Sequence, residues 1–416
     1  MGKDADEHSN AGEESVMSGI NTRLRNPISR SELERRWALI HEEMKDADVD
    51  AVIIQAANNL TGTAGHYRWM TGIAVASSYP QAMIIPQEGL STLVMHGDFD
   101  GAARLDGADA AFPNLGLRLT APSFPACHNN GAYDAQLATA EIRKRSYKKL
   151  AVVNPNPAFA GFFKMLNEEL GHPAYTDLTP RIDVHKAHKS EEEIGFMRAA
   201  AQMQDSILSD IKGHIKPGMT DNEVFAYGLY LGQLRGSETG YMLGSSAPVG
   251  QPTMIRRSGE HGRRIEEGDV MYFQCENTGP GGYFVHAGRY YVLGKAPQQL
   301  QDMFGAMNEA QDFTVSLLQV GVSCREIFAE YNAYMIARGY PPERRIHCHG
   351  QGYDNVEPPL VREDETMLIK PNTNMGIHPA VARKDIFVTS CDNFLINAQG
   401  VVERLHQTPR EIVELT

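Results

Sequence analysis

The chain has 416 residues, a length that suggests two domains rather than one small core. Hydrophobic residues make up 42% of it and charged residues 22%, which are the proportions of an ordinary globular protein. The net charge of −13 argues against a nucleic-acid-binding protein, because such proteins usually carry a basic stripe. No apolar run approaches the length of a membrane helix, so no membrane span is expected.

The N-terminus is polar and acidic. Residues 1–22 lack the apolar core of a secretory signal, and we expect them to form a disordered tail. The five cysteines are few, odd in number and widely spaced, which fits a reducing compartment better than a disulfide framework. We therefore expect a cytoplasmic protein.

The next segments alternate between helical and strand-like patterns. Residues 31–46, SELERRWALIHEEMKD, combine helical spacing of apolar residues with a capping box of Ser31 and Glu34. The run VDAVIIQ (49–55) is short, apolar and rich in β-branched residues, as expected of a buried strand. Three further strand candidates follow: QAMIIPQ, LSTLVMH and KKLAVVN. The alternation predicts an N-terminal α/β domain over residues 23–185.

A long helix is predicted over residues 189–211, where Ser190 and Glu193 form a capping box. We place the start of a second domain here, over residues 186–416.

The second domain contains a weak internal repeat. IKPGMTDNEVF (215–225) and LQVGVSCREIF (318–328) have glycine, an N-cap hydroxyl and glutamate at matching places. The repeat indicates either two coincident capping boxes or a domain built from two similar halves.

Five segments from residue 189 onwards resemble the pita-bread fold of creatinase, aminopeptidase P, prolidase and methionine aminopeptidase. KSEEEIGFMRAAA resembles the linker helix of that family. EEGDVMYFQCENTGPGGYFVHAGRYYVLG resembles the β-hairpin with the first two metal aspartates, and HCHGQGYDNVEPP resembles the GHGxGxxxHExP segment. KPNTNMGIHP and CDNFLINAQG resemble the strands with the two metal glutamates. The resemblance implies an α/β (α+β) protein, with a creatinase-type N-terminal domain followed by a pita-bread catalytic domain.

In this resemblance, the metal-ligand positions of the family carry an altered set of residues. The first aspartate falls on Gln274, and Glu276 follows where some lyases of this fold that cleave dimethylsulfoniopropionate have an added acid. The second aspartate falls on His286, the family histidine on His349, and the first glutamate on His378.

The second glutamate falls on Cys391 or Asp392. A dinuclear centre needs bridging carboxylates to offset two divalent charges, and three imidazoles with one sure carboxylate provide too few. Two peptidase histidines are also missing, since their positions fall on Val356 and near Gln251. We therefore expect a member of the superfamily that is not a standard dinuclear metallopeptidase.

Three interpretations of the altered site remain. In the first, Glu276, His286, His349 and His378 bind one divalent transition metal, which would be zinc, iron or manganese. In the second, the site is metal-free, and the same residues hold an anionic substrate and exchange protons, as creatinase and ectoine hydrolase imply for this fold. In the third, the ligands have drifted and the site is inactive.

Other residues are candidates for binding the substrate. Tyr79 and Trp69 lie in HYRWMTGIAVASSYP, which the resemblance places near the active site of the partner subunit in family dimers. Creatinase carries there an arginine that grips a substrate carboxylate, and no arginine is found near Tyr79. The predicted substrate-binding set is Gln274, Gln251, Tyr79, Trp69, Glu357 and Cys391. Arg289, which follows the hairpin, is interpreted as a charge partner.

The sequence thus predicts a small-molecule hydrolase or lyase that cleaves a C–N bond or eliminates a leaving group from a polar, non-peptide substrate. The resemblance implies a homodimer, and we expect no nucleic-acid or membrane partner. The alternative of another class is an inactive binding module, because the same fold binds peptides in histone chaperones.

Overall fold

The computed structural model describes residues 28–56, 64–75, 79–107, 114–124, 126–128, 131–257 and 259–416. The predicted disordered tail therefore lies outside the described residues. The boundary that we place between residues 185 and 186 stays a prediction.

The N-terminal half is built around one mixed sheet of seven strands, in the order β4-β5-β3-β2-β1-β6-β7. The strands are β1 Ala51–Ala56, β2 Gln81–Pro86, β3 Ser91–His96, β4 Gly101–Arg104, β5 Leu115–Ala121, β6 Leu150–Val152 and β7 Tyr175–Asp177. The helices of this half are α1 Arg30–Asp46, α2 Gly65–Thr71, α3 Tyr133–Arg145, α4 Ala160–Leu170 and α5 Thr179–Ala187. The strand candidates of the sequence are thereby confirmed.

Strand β1 is buried along its whole length because helices cover both faces of the sheet. Val52 and Ile54 belong to a core cluster that includes residues of α1, whereas Ala51 and Ile53 belong to a second cluster with α3 and α4. This arrangement explains why the strand has a continuous apolar run and no alternation.

Helix α1 begins slightly earlier than the sequence predicts. Its N-cap is Ser29, whose side chain accepts a hydrogen bond from the backbone N–H of Glu32. The predicted capping box of Ser31 and Glu34 is wrong, because the helix begins after Ser29, two residues before Ser31, and Ser31 lies inside the helix.

Three other capping boxes are confirmed. Helix α6, Glu191–His214, begins after Ser190 with a reciprocal box to Glu193. Helix α7, Asp221–Leu234, and helix α9, Cys324–Ala337, begin with the matching boxes of the two repeat segments. Helix α8, Gln298–Leu317, lies between them. Within the described ranges, no helix combines the length and apolar character needed to cross a bilayer.

Two larger sheets and one small sheet form the C-terminal half. The four-stranded sheet has the order β18-β10-β9-β8, with β8 Gly240–Ala247, β9 Val270–Thr278, β10 Phe284–Leu293 and β18 Ile412–Leu415. The five-stranded sheet has the order β12-β11-β13-β16-β17, with β11 Cys348–Gly350, β12 Glu357–Leu360, β13 Thr373–Ile377, β16 Asp392–Ile396 and β17 Val402–Arg404. The small sheet pairs β14 Ala380–Ala382 with β15 Phe387–Thr389.

The two larger sheets join where Gly288 of β10 bridges to Cys391 and where the backbone N–H of His286 donates to Asn393 Oδ1 at 2.7 Å. Since β9 and β10 of one sheet meet β11, β13 and β16 of the other here, side chains from both sheets point into the same space.

Candidate active site

The four predicted active-site residues come together at the junction of the two sheets. Glu276 of β9 lies directly opposite His286 of β10 in the antiparallel register. His349 lies on β11, and His378 follows β13, where its backbone N–H donates to the carbonyl oxygen of His347 at 2.7 Å. The sheet register therefore brings together residues that are up to 102 positions apart (378 − 276).

The three imidazole rings form a compact triangle. The ring centroids are 5.4 Å apart for His286 and His349, 5.3 Å for His286 and His378, and 5.1 Å for His349 and His378. The Nδ1 atom of His286 lies 3.8 Å from Glu276 Oε1, which ties the carboxylate to one corner of the triangle.

A cavity of about 670 Å³ opens over this cluster. Glu276, His349 and His378 line it, whereas His286 lies behind them and is 1% exposed. A cavity of this size suits a small molecule. The rest of the wall is formed by Tyr241, Leu243, Ile255, Arg257, Gln274, Glu343, Arg345, Ile346, Asn355, Val356, Ala380, Phe387 and Thr389.

Glu276 is held by a ring of neutral donors. Gln274 Nε2 donates to its Oε1 at 2.5 Å, and Asn355 Nδ2 donates to its Oε2 at 2.8 Å. The hydroxyl of Tyr241, opposite Glu276 on the neighbouring strand, also favours the ionised form of this carboxylate and lowers its pKa. Burial by itself would raise the pKa of Glu276, but hydrogen bonding and the charge of His286 outweigh it and lower the pKa below its ordinary value. The carboxylate is therefore ionised at neutral pH.

The two histidines of the cavity wall are held in the neutral form. Burial, together with the charge of His286, lowers the pKa of His349 to about 4. Burial, followed by the charges of His349 and His286, lowers the pKa of His378 well below its ordinary value. His349 Nδ1 donates to the Gly350 carbonyl oxygen at 2.9 Å, so its Nε2 keeps a free lone pair.

His286 is the least satisfied member of the cluster. Both of its ring nitrogens are buried without a hydrogen-bond partner among the described residues. A buried donor or acceptor that is left unpaired costs about 1–3 kcal/mol, so this imidazole is held in place at the expense of stability.

The donor set has the chemistry of a mononuclear metal site. Imidazoles bound to one ion through bonds of about 2.1 Å have ring centroids roughly 5 Å apart, which is the spacing of this triangle. The unpaired nitrogens of His286 are free to bind an ion. Over the described part of the chain, however, no group of three or more His, Cys, Asp or Glu side chains is already arranged as a ligand set. The residue types and the ring spacing thus suit one ion, but the described side chains do not form a ligand set for it.

The family's second metal glutamate falls on one of two neighbouring residues, Cys391 or Asp392. Cys391 is fully buried, and burial raises the pKa of its thiol well above the ordinary value, helped by the charge of Glu276. The carboxylate of Asp392 accepts a hydrogen bond from Arg289 at 2.8 Å in an ion pair that is buried on both sides. Arg289 is therefore the charge partner of Asp392, and that carboxylate is engaged away from the histidines.

Four predicted substrate-binding residues lie away from the cavity. Trp69 is 1% exposed and packs in the core beneath Arg36. Tyr79 stacks on His96 with ring centroids 4.1 Å apart, on the N-terminal sheet. Gln251 lines a separate small cavity. None of these three residues lines the active-site cavity of its own chain.

Glu357, the fourth, lines another cavity of about 370 Å³ that is bounded partly by residues of β1 and α2. Its carboxylate forms ion pairs with Lys189 and, at 3.3 Å, with Lys186. All three of these charged groups are buried. Glu357 therefore holds the two lysines in place, and it does not line the cavity over the histidine cluster.

Sequence reasoning missed Tyr241 and Asn355. Tyr241 pairs directly with Glu276 across β8 and β9, so that Tyr241, Glu276 and His286 form one row across three strands. Residues opposite each other on antiparallel strands point to the same face of a sheet. Only the strand register reveals this row, and no motif in the sequence carries a signal for it.

Comparison with known proteins places the fold. The profile of metallopeptidase family M24 matches residues 195–401. An uncharacterized hydrolase/peptidase, y4tM, of Sinorhizobium fredii is 21% identical over 404 residues, which cover 93% of this chain and 98% of that protein. The recombinant prolidase of Thermococcus sibiricus superposes with a TM-score of 0.76 at 18% identity, and covers 93% of this chain and 100% of its own.

The Xaa-Pro dipeptidase of Bacillus anthracis has a TM-score of 0.73 at 16% identity, and covers 92% of this chain and 100% of its own. Because these likenesses extend over nearly the whole chain, the predicted combination of an N-terminal α/β domain and a pita-bread domain is confirmed. Residues 195–401 therefore match metallopeptidase family M24, and the fold of the whole chain is that of the solved prolidases and dipeptidases.

Proposed function

We propose that this member of the M24 hydrolases acts on a small, polar, non-peptide molecule, by hydrolysing a C–N bond or by eliminating a leaving group. The observation that carries the proposal is a cavity of about 670 Å³ lined by the ionised carboxylate of Glu276 and the imidazoles of His349 and His378, with His286 directly behind them. Unprotonated imidazoles and a carboxylate that face a cavity can take up a proton from a bound molecule and return it, as acid–base chemistry requires.

The same cluster argues against the two-metal chemistry of a standard peptidase. Of the four clustered residues only Glu276 is a carboxylate, and the nearby carboxylate of Asp392 is engaged by Arg289. Two divalent ions held mainly by neutral imidazoles would leave most of their charge uncompensated. In the resemblance, the two peptidase histidines of the family are also missing. One position falls on Val356, and the other falls nearest to Gln251.

In hydrolysis, His349 or Glu276 takes a proton from a water molecule as the water oxygen attacks the carbonyl or amidino carbon. The C–N bond then breaks, and the proton passes to the leaving nitrogen. The neutral state of His349 suits the first step, because a base must be unprotonated to accept, and it becomes an acid by doing so. Burial raises the pKa of Tyr241, so its hydroxyl stays protonated and can donate a hydrogen bond to the substrate or to Glu276.

If an ion is bound, His286, His349, His378 and Glu276 are the residues that would hold it, and it would polarise a substrate oxygen or acidify a bound water. In elimination, the same base would take a proton from carbon, a double bond would form, and the leaving group would depart without any water. The lyase therefore remains the second candidate on the same residues.

The proposal is tested with a panel of amides, guanidines and sulfonium compounds, with Xaa-Pro dipeptides as the competing class. We expect turnover of a non-peptide compound that falls at least about 100-fold in Glu276→Gln and in His349→Gln. His188→Gln is the matched control, because this exposed imidazole donates a hydrogen bond to the Pro371 carbonyl oxygen and does not line the cavity. Faster turnover of the dipeptides than of every other compound would refute the non-peptide assignment.

An inactive binding module is the competing class of function. It would bind a ligand in the cavity without turning over any compound of the panel. Turnover that survives in both the Glu276→Gln and the His349→Gln variants would place the chemistry elsewhere in the molecule.

A further inference from the structure

Two arginines on the wall of the active-site cavity have no ion-pair partner among the residues that the structure describes. Arg257 and Arg345 both line the cavity, and among the described residues neither guanidinium group forms an ion pair or a hydrogen bond. Most arginines on convex surfaces are simply solvated. These two lie in a concavity of about 670 Å³, where a bound molecule would displace the water around them.

The two guanidinium groups flank the reactive cluster on different sides. Arg257 lies over the ring of Tyr241, with its Cζ 5.5 Å from the ring centroid, and Tyr241 in turn contacts Glu276. The charge of Arg345 acts on His349 and His378. Arg257 is therefore on the carboxylate side of the cluster, whereas Arg345 shares the cavity wall with the two histidines that its charge affects.

The acidic groups of the same wall are already engaged. Glu343 Oε1 accepts hydrogen bonds from the backbone N–H groups of Arg345, at 2.6 Å, and Ile346, at 3.1 Å, so it fixes the loop before β11. Both oxygens of Glu276 accept hydrogen bonds from side-chain amides. Neither carboxylate is paired with an arginine, so both guanidinium groups stay available to a ligand.

We infer that Arg257 and Arg345 bind an oxyanion group of the ligand, so that the cavity takes a small molecule carrying a carboxylate or a group of the same charge. A guanidinium group presents paired N–H donors that match the two oxygens of such a group. That this molecule is a substrate rests on the proposed function. That it is an anion rests on the two arginines alone.

Ligand binding tests the inference without any turnover. Thermal unfolding and titration calorimetry are run with succinate, inorganic phosphate and succinamide, at one ionic strength set with potassium chloride, because added salt screens charges. Succinamide has nearly the shape of succinate without its charge. We expect stabilisation of the wild type by succinate or phosphate and none by succinamide. The anion that binds more tightly shows whether the site is shaped for a carboxylate or for a phosphate.

The variants locate the bound anion. Arg257→Gln and Arg345→Gln should each lower the affinity for the anion about tenfold, which is the loss expected for one charged hydrogen-bonding partner. The sequence provides matched controls, because Arg256 and Arg344 are exposed neighbours that do not line the cavity. Arg256→Gln and Arg344→Gln should leave the affinity unchanged.

The inference is overturned if succinamide binds as well as succinate, if neither anion binds, or if the control variants lose as much affinity as the cavity variants. Its failure is distinct from a failure of the proposed function. Glu276→Gln should abolish turnover while the anion still binds. If Glu276→Gln abolishes turnover but Arg257→Gln and Arg345→Gln bind the anion as tightly as the wild type, the proposed enzymatic function stands and the anion site is rejected.

Discussion

An added Cβ atom at Gly376 would lie 2.2 Å from Nε2 of His286. Gly376 belongs to β13 and pairs with His349 of β11, so the missing side chain of one strand provides the space for an imidazole that comes from the other sheet. The backbone of Gly376 is not in the left-handed region, and an alanine could adopt it without strain. The requirement for glycine at this position is therefore purely steric.

Gly376→Ala should displace the His286 ring and disturb the whole triangle of histidines. We expect a loss of about 1–3 kcal/mol of unfolding free energy, the usual cost of overpacking a buried site. Activity towards the substrate found by the panel should fall as well. Urea unfolding and steady-state kinetics measure the two effects.

The double variant His286→Ala, Gly376→Ala shows how much of the lost stability comes from the clash between the added methyl group and the His286 ring. With the imidazole removed, the added methyl group has space, and the glycine substitution should cost much less than it does in the wild type. The other close atom, Gln351 Oε1 at 3.2 Å, has only to shift slightly. An equal cost of Gly376→Ala in both backgrounds would show that His286 does not occupy this space.

Tyr241→Phe should lower kcat by about 10-fold to 100-fold, because it removes a hydroxyl that helps to keep Glu276 ionised and that accepts a hydrogen bond from Asn355. The Tyr241 hydroxyl lowers the pKa of Glu276, and it accepts the hydrogen bond from Asn355 Nδ2 at 3.0 Å. The aromatic ring stays, so the fold should be retained and near-ultraviolet circular dichroism should change little. Unchanged kcat would mean that Gln274 and Asn355 alone hold Glu276 in position.

Local patterns explain which parts of the molecule could be predicted. The capping boxes at Ser190, Thr220 and Ser323 are complete within four residues, so the sequence contains all the information that they need. The continuous apolar run of β1 likewise indicated a strand that is covered on both faces. The grouping of Glu276 with the histidines followed from the resemblance, which supplies the long-range contacts that the sequence of one chain does not give.

Contacts that depend on register or on the course of loops could not be predicted in this way. Tyr241 meets Glu276 only through the pairing of β8 with β9, and Asn355 reaches it from the loop after β11. Trp69 shows a second limit of sequence reasoning, because an aromatic side chain has the same sequence signature in a core as in a substrate-binding site. Its burial beneath Arg36 is decided by the packing of α1 against α2.

Glu357→Gln should destabilise the protein at neutral pH by about 3–5 kcal/mol, since it leaves Lys186 and Lys189 buried without their shared carboxylate. Although burial favours the neutral acid, the charges of the two lysines lower the pKa of Glu357 from 4.5 to about 2. A lowered folded-state pKa stabilises the protein above the unfolded value, and this contribution is lost as the pH falls from 4.5 to about 2.

Unfolding free energies of wild type and variant should therefore converge over this acidic range. Urea titrations at several pH values measure the difference in unfolding free energy between wild type and variant. The contributions of the other carboxyl groups are the same in both proteins and cancel in this difference. Asp364→Asn is the control, because its ion pair with Arg362 is exposed and should contribute little at any pH. A difference between wild type and Glu357→Gln that is independent of pH would contradict the assigned pKa of Glu357.

The metal content of the purified protein decides between the two chemical versions of the site. We expect about one equivalent of zinc, iron or manganese in the wild type by plasma mass spectrometry, because three imidazoles at this spacing suit one transition-metal ion. The double variant His286→Ala, His378→Ala should lose the metal. The variant His172→Ala, His188→Ala, which removes two exposed histidines, should keep it. If the wild type takes up no metal even after incubation with each of the three ions, the histidines must act as acids and bases alone, and creatine-like and ectoine-like compounds become the first substrates to test.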